Sequence, residues 1–290
     1  MKTQHIILSV FISLIATQAF AGGGWPQKKG EGFLKIGQWW VIADKHYTDQ
    51  GQIDPNLTQA IFNTSFYGEY GLTDRLTAVA YVPFFSRAYS NNLVSGTTGE
   101  VLIPGEAING FGDTDIGLQY GLFSKGSVSV SARLILGLPL GNASGGTAGN
   151  LQTGDGEFNQ LLQVDAGAGF NLGGHNAYAN AYVGFNNRTQ GFSDEIRYGI
   201  EGGVSFLDND RLLLILRVYG IESLQNGTLS GESNSTSIFA NNSEHLTISP
   251  EIAYQWNDKW GVSASYAQAV RGSVIFANPA YSVGVFFKLK

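Results

Sequence analysis

The sequence predicts an all-β chain: a transmembrane, up-and-down antiparallel β-barrel of about 12 strands, with both termini periplasmic. Three observations lead there. Short turns and long polar loops alternate strictly along the chain. The segments between them alternate apolar and polar residues over about 10–14 positions, longer than the ~5–6 of globular sheets. The composition is that of a β-protein, with 39 glycines among 290 residues, aromatics at 12 % and charged residues at 14 %.

The same composition excludes other classes. Glycine runs at about twice its usual ~7 %, and charge falls well below the usual ~25 %. A disordered chain would lack this aromatic and β-branched content. A disulfide scaffold needs cysteines, and there are none. The net charge of −6 leaves no basic footprint for nucleic acid.

Residues 1–21 read as a secretory signal peptide, with Lys2 as the positive n-region, Ile6 to Ile15 as the apolar core and Ala19-Phe20-Ala21 as the cleavage site. Residues 22–290 then form a single barrel domain. Beyond residue 21 no apolar run approaches the ~18–20 residues of a membrane helix. A closed barrel is the other structure that satisfies every backbone group in lipid.

Five tight turns punctuate this domain: Thr73-Asp74-Arg75, Ser124-Lys125-Gly126, Gly173-Gly174-His175, Asp208-Asn209-Asp210 and Asn257-Asp258-Lys259. Between them lie six longer stretches, His46–Leu57, Tyr89–Asn109, Gly141–Gly156, Thr189–Glu195, Leu224–Ser243 and Gly272–Asn278. Eleven connections separate twelve strands. Short turns at one end and long loops at the other form the layout of an outer-membrane barrel.

The strands carry the required period of two. Val128, Val130, Ala132, Leu134 and Leu136 alternate with Ser127, Ser129, Ser131 and Arg133. Leu246, Ile248, Ile252, Tyr254 and Trp256 oppose Thr247, Ser249, Glu251 and Gln255. Trp256 and Trp260 flank a short turn on the apolar face, where an interfacial aromatic girdle belongs. The final strand places Tyr281, Val283, Val285, Phe287 and Leu289 on one face. It is similar to the strand by which the assembly machinery recognises outer-membrane barrels, although its last aromatic, Phe287, comes three residues early.

If apolar faces meet lipid, polar faces line the lumen. The expected acids are Glu69, Asp113, Asp115, Asp165, Glu201 and Glu251, and the expected bases Lys35, Arg133, Arg197, Arg217 and Lys288. Charges held in a low-dielectric bore should pair. A turn symmetric about Asn209 sets Glu201 opposite Arg217, and one centred on Lys125 sets Arg133 diagonal to Asp115. Trp39, Tyr67, Tyr81, Phe85, Tyr178, Tyr182 and Tyr219 share the inward face. They either fill the barrel or line a narrow pathway for small amphipathic or aromatic solutes.

Gly110 to Phe123 (GFGDTDIGLQYGLF), Leu151 to Gln160 (LQTGDGEFNQ), Trp25 to Gly30 and Gly71 to Arg75 resemble an outer-membrane family named for transport in the meta-cleavage pathway of phenol degradation. That family is distantly similar to the long-chain fatty-acid channels, which plug a larger barrel with an N-terminal hatch. The resemblance implies a barrel that moves hydrophobic or aromatic compounds. It carries over no binding residue and no plug mechanism, because only Gly22 to Gly30 precede the first strand.

Enzyme chemistry finds little support. His46 and His245 sit at the outer rim near carboxylates, and His175 lies in a turn, but there is no nucleophile elbow and no HExxH. Asp113-x-Asp115 and Gly154-Asp155-Gly156-Glu157 do not complete a calcium loop. No metal or other cofactor is expected. The expected partners are outer-membrane lipid, the barrel assembly machinery through the C-terminal strand, and a small-molecule solute. The leading expectation is a non-enzymatic channel. The alternatives are a surface structural or adhesion barrel acting through Tyr89–Asn109 and Leu224–Ser243, and an outer-membrane hydrolase.

Overall fold

The computed structural model describes residues 23–229 and 237–290, so the signal-peptide segment lies outside the described residues. Twelve long strands close into one barrel. They are β1 (Gly32–Tyr47), β2 (Ile53–Gly71), β3 (Leu76–Ser90), β4 (Thr114–Lys125), β5 (Val128–Leu138), β6 (Asn159–Leu172), β7 (His175–Arg188), β8 (Glu195–Phe206), β9 (Leu212–Ser223), β10 (Glu244–Gln255), β11 (Trp260–Ser273) and β12 (Ala280–Leu289). Each pairs antiparallel with its chain neighbours. β12 pairs back onto β1, with Gly32 opposite Leu289 and Trp39 opposite Ser282, which closes the ring.

Closure removes the sheet edge and leaves only two faces to fill. The outer one is apolar: Ile200 is 60 % exposed, Leu162 59 % and Leu216 53 %. A monodisperse soluble protein would not show so continuous an apolar surface. Near the short turns this surface carries exposed Tyr70, Tyr120, Phe123, Phe170, Trp256 and Trp260, and the Tyr and Trp among them are the amphipathic aromatics that favour a membrane interface. No helix among the described residues is long and apolar enough to cross a membrane. The architecture is that of a transmembrane β-barrel.

Both ends of the barrel sheet, at Gly32 and Leu289, lie at the short-turn end, beside Tyr70 and Trp260. Register follows the turns. Glu201 stands directly opposite Arg217 across the 207–211 turn, as symmetry about Asn209 requires.

Two other expectations are corrected, one by a displaced turn with a bulge and one by a bulge alone. An extra residue in β4 between Gly121 and Phe123, with the turn falling at 126–127, sets Arg133 opposite Gln119 instead of diagonal to Asp115. Between Val82 and Phe85, β3 holds one residue more than β2. Pro83 sits in this bulge, where it has no N–H to offer a ladder, and its carbonyl accepts from the Gly112 amide. The bulge inverts the alternation, so Tyr81 faces inward while Phe85 faces out at 45 % exposure.

The first long connection is also shorter than expected. Lys45, His46 and Tyr47 pair with Pro55, Asp54 and Ile53, leaving 48–52 as the turn. Polarity alone marks these positions as loop, but their backbone continues the ladder.

Candidate functional site

The inward face divides into three regions: an N-terminal filling, a chamber beside it and a cap at the long-loop mouth. The filling is Gly23–Gln27. This segment is too short for a folded hatch, yet it runs inside the bore along β2 to β7. The Gly24 amide donates to Asn180 Oδ1 (3.0 Å), and the Gln27 amide to Thr77 Oγ1 (2.8 Å). The Gly23 carbonyl accepts from Gln119 Nε2 (2.7 Å) and Arg133 Nη2 (3.2 Å), and Ser129 Oγ donates to the Gly24 carbonyl (2.8 Å).

Glycine is required at two of these contacts. A Cβ on Gly24 would lie 2.5 Å from the Ser129 carbonyl oxygen. A Cβ on Gly167 would lie 2.3 Å from the Trp25 ring, which seats on that position and meets Tyr178 edge-on at 6.3 Å. The missing side chain at Gly167 makes a seat for an aromatic ring.

Below and around the segment, four expected lumen residues form one network. Arg133 reaches Asp165 (3.3 Å) and Glu69 (3.9 Å). Tyr67 donates to Glu69, which also accepts from Gln27 Nε2 (2.9 Å).

The opposite half of the bore, walled by β8 to β12 with β1 to β3, remains open as a chamber of about 420 Å³. Lys35, Trp39, Tyr67, Tyr81, Glu201, Arg217 and Glu251 all line it. Arg217 bridges Glu201 and Glu251, Tyr178 donates to Glu201 (2.5 Å) and Lys35 Nζ lies 3.5 Å from Glu251. Phe33 and Phe286, which sequence reasoning did not single out, stack at 5.4 Å and complete the aromatic wall. Their inward positions follow from the ladder, with Phe286 opposite Lys35.

The remaining expected residues lie elsewhere on the inner wall. Tyr182 is opposite Asp165 and Gly199, Tyr219 opposite Gly199 and Thr247, and Arg197 opposite Gly184 and Ile221. Asp115 faces in opposite Tyr81. Lys288 faces in at the short-turn rim and donates to Gln255 (2.9 Å).

Asp113 holds the mouth instead of lining the bore. Its two carboxylate oxygens accept from the amides of Gly141 (2.9 Å) and Asp155 (2.7 Å). This folds the 139–158 loop inward. Leu151 of that loop is buried in a cluster with Val41, Ala43, Ile61, Ala88 and Phe276, against which Phe239 of the 224–243 loop also packs.

One arginine secures the fold of the mouth. Arg188 pairs with Asp155 (2.9 Å), Glu157 (2.8 Å) and Glu195 (2.7 Å), and its guanidinium lies 4.3 Å over the Phe192 ring. Arg197 supplies a second cation to Glu195 (2.8 Å). Burial, together with the neighbouring Asp113 carboxylate, pushes the Asp155 carboxyl up to about 7. Burial also raises Asp113 and Glu157. The paired Gly-Asp-Gly-Glu acids were the sequence signal for this cluster, but nothing in the spacing named Arg188 as their partner.

The rim histidines are structural neighbours of aromatic rings. His46 is buried edge-on to Phe276, and His245 Nδ1 shares a hydrogen bond with Thr247 Oγ1 (3.0 Å) beside Tyr219. His175 packs on Phe206 beside its turn.

No protein-family model matches the chain, and no curated protein matches it significantly. Among solved structures, an outer membrane channel from Pseudomonas putida F1 aligns at a TM-score of 0.58 and 15 % identity, over 94 % of this chain and 99 % of that one. The NanC porin aligns at 0.46 and 10 % identity, over 88 % of this chain and 100 % of that one. The KdgM porin aligns at 0.45 and 10 % identity, over 88 % and 98 %. The first likeness shows a shared fold, that of an outer-membrane β-barrel. The two porins are too distant in structure to add to it.

Proposed function

We propose that this chain is an outer-membrane channel through which small amphipathic or aromatic molecules diffuse. The observation that carries the reading is the chamber of about 420 Å³ in the bore, within the ~300–1,000 Å³ of ordinary small-molecule sites. A barrel that only anchored surface loops would have no need of an open, charge-bearing space at that depth. In this reading the short-turn rim is periplasmic and the long loops face outward. Outer-membrane lipid covers the apolar belt, and β12 presents the strand read by the assembly machinery. The inward segment and the folded mouth narrow the route, so flux is selective instead of bulk.

Planar-bilayer recording of the purified protein tests this. Discrete conductance steps, small beside those of wide aqueous barrels and reduced by millimolar aromatic solute, are expected. A bilayer that stays silent at all voltages, with or without solute, would refute the channel.

A further inference from the structure

The chamber's hydrogen-bond inventory is lopsided. Its carboxylates are largely committed: Arg217 serves both Glu201 and Glu251, and Glu201 also takes the Tyr178 hydroxyl. Its donors are not. Lys35 carries three N–H donors, yet among the described residues its ammonium makes a single contact, 3.5 Å from Glu251. That is beyond the ~2.7–2.9 Å of a strong charge-assisted bond. Glu251 itself is held by the closer arginine. No hydrogen bond engages the Trp39 indole N–H among the described residues, and this ring lines the same space. The chamber therefore offers unspent donors and few unspent acceptors.

The backbone aims Lys35 into this space. Its Cε passes over Gly284, where a Cβ would stand only 2.6 Å away, and Gly284 pairs with Gly37. Two facing glycines thus form a track for the lysine stem. The stacked Phe33 and Phe286 rings flank it on one side, and Trp39 stands four residues along β1 from Lys35 on the other.

We propose that the chamber is a binding site for a small aromatic carboxylate, whose anionic group takes the free donors of Lys35 while its ring packs on Phe33, which the buried Phe286 backs. A cation would find both acids already paired, and a neutral ring would leave the remaining Lys35 donors unused. This assignment rests on the channel reading and narrows it to one charge class.

Isothermal titration of the purified, detergent-solubilised protein tests it, using sodium benzoate, benzyl alcohol, benzylammonium chloride and sodium acetate as probes. Saturable benzoate binding is expected, at least tenfold tighter than any of the other three. Lys35→Gln should weaken benzoate at least tenfold, and Lys35→Arg should restore most of the loss. Heat-modifiable gel mobility shows that each variant keeps its barrel.

Equal binding of benzyl alcohol, equal binding of acetate, or unchanged benzoate affinity in Lys35→Gln would overturn the assignment. Conductance of the same preparations separates the two claims. Current without benzoate preference removes the site and leaves the channel, whereas a silent bilayer removes the channel whatever binds.

Discussion

Replacing Arg188 with methionine should release the mouth loop while leaving the barrel intact. The Arg188 side chain is only 4 % exposed and holds three carboxylates. Its removal is felt unequally. Glu195 keeps Arg197, and Glu157 keeps the Thr189 amide at 2.9 Å. Asp155 loses its one paired cation and is left beside Asp113.

Above about pH 7, where the docked Asp155 is ionised, removing one partner of a buried ion pair costs about 3–5 kcal/mol. Even the lower figure shifts the docking equilibrium of the 139–158 loop on the order of 10²-fold. The loop is the element that yields, because strands β6 to β8 are held by continuous ladders on both sides. Hydrogen exchange resolves this directly. The amides of Thr153 and Asp155, bonded to Asn142 and Asp113 in the docked loop, should exchange on the order of a hundred times faster in Arg188→Met. Amides of the strand centres should not change. Identical protection of Thr153 and Asp155 in the variant would refute the argument that Arg188 pins the mouth.

Two further outcomes follow from the same contacts. Gly167→Val places a side chain where the Trp25 ring sits and should expel Gly23–Gln27 from the bore; Trp25 fluorescence should then move to the red, with conductance raised several-fold, and an unchanged spectrum would contradict the seat. The mouth should also respond to pH. Burial and Asp113 raise the Asp155 carboxyl to about 7, so the docked loop binds a proton that the released loop, titrating near the ordinary 3.8, gives up. The Asp155 proton therefore favours docking most below about pH 4, and that contribution is lost as pH rises through about 7. Exchange of the 139–158 amides, corrected for intrinsic rates, should quicken from pH 5 to pH 8 in the wild type and less in Asp113→Asn, where burial alone still raises Asp155.

The barrel was legible in the sequence because its rules are local. Turn residues such as Gly173-Gly174 and Asp208–Asp210 fix register, and a period of two fixes the face, so Glu201 opposite Arg217 follows by counting. Counting fails where a turn is displaced or a bulge inserts one residue. The turn falls at 126–127 instead of on Lys125 and the Leu122 bulge takes back one residue of that shift, so Arg133 stands opposite Gln119 and pairs with Asp165 and Glu69, while the Pro83 bulge turns Phe85 outward. What lay beyond the sequence was any contact between elements that are not neighbours in the ladder. Trp25 on Gly167, Leu151 against Val41 and Arg188 with Asp155 join parts of the chain that no short-range pattern connects. Polarity placed Asp113 on the lumen wall and Asp155 in the long loop Gly141–Gly156. It gave no reason to fold that loop back over the bore.

The central claim is that solute passes through the chamber beside Lys35 and Arg217. The chain has no cysteine, so Ser282→Cys puts a single thiol on the chamber wall opposite Trp39, and Ile200→Cys puts one on the apolar exterior. Single-channel recording during addition of a small, charged, water-soluble thiol reagent is the direct measurement. The account predicts that modification of Ser282→Cys abolishes most of the current and that Ile200→Cys conducts as before. Full conductance after complete, mass-verified modification at position 282 would contradict it.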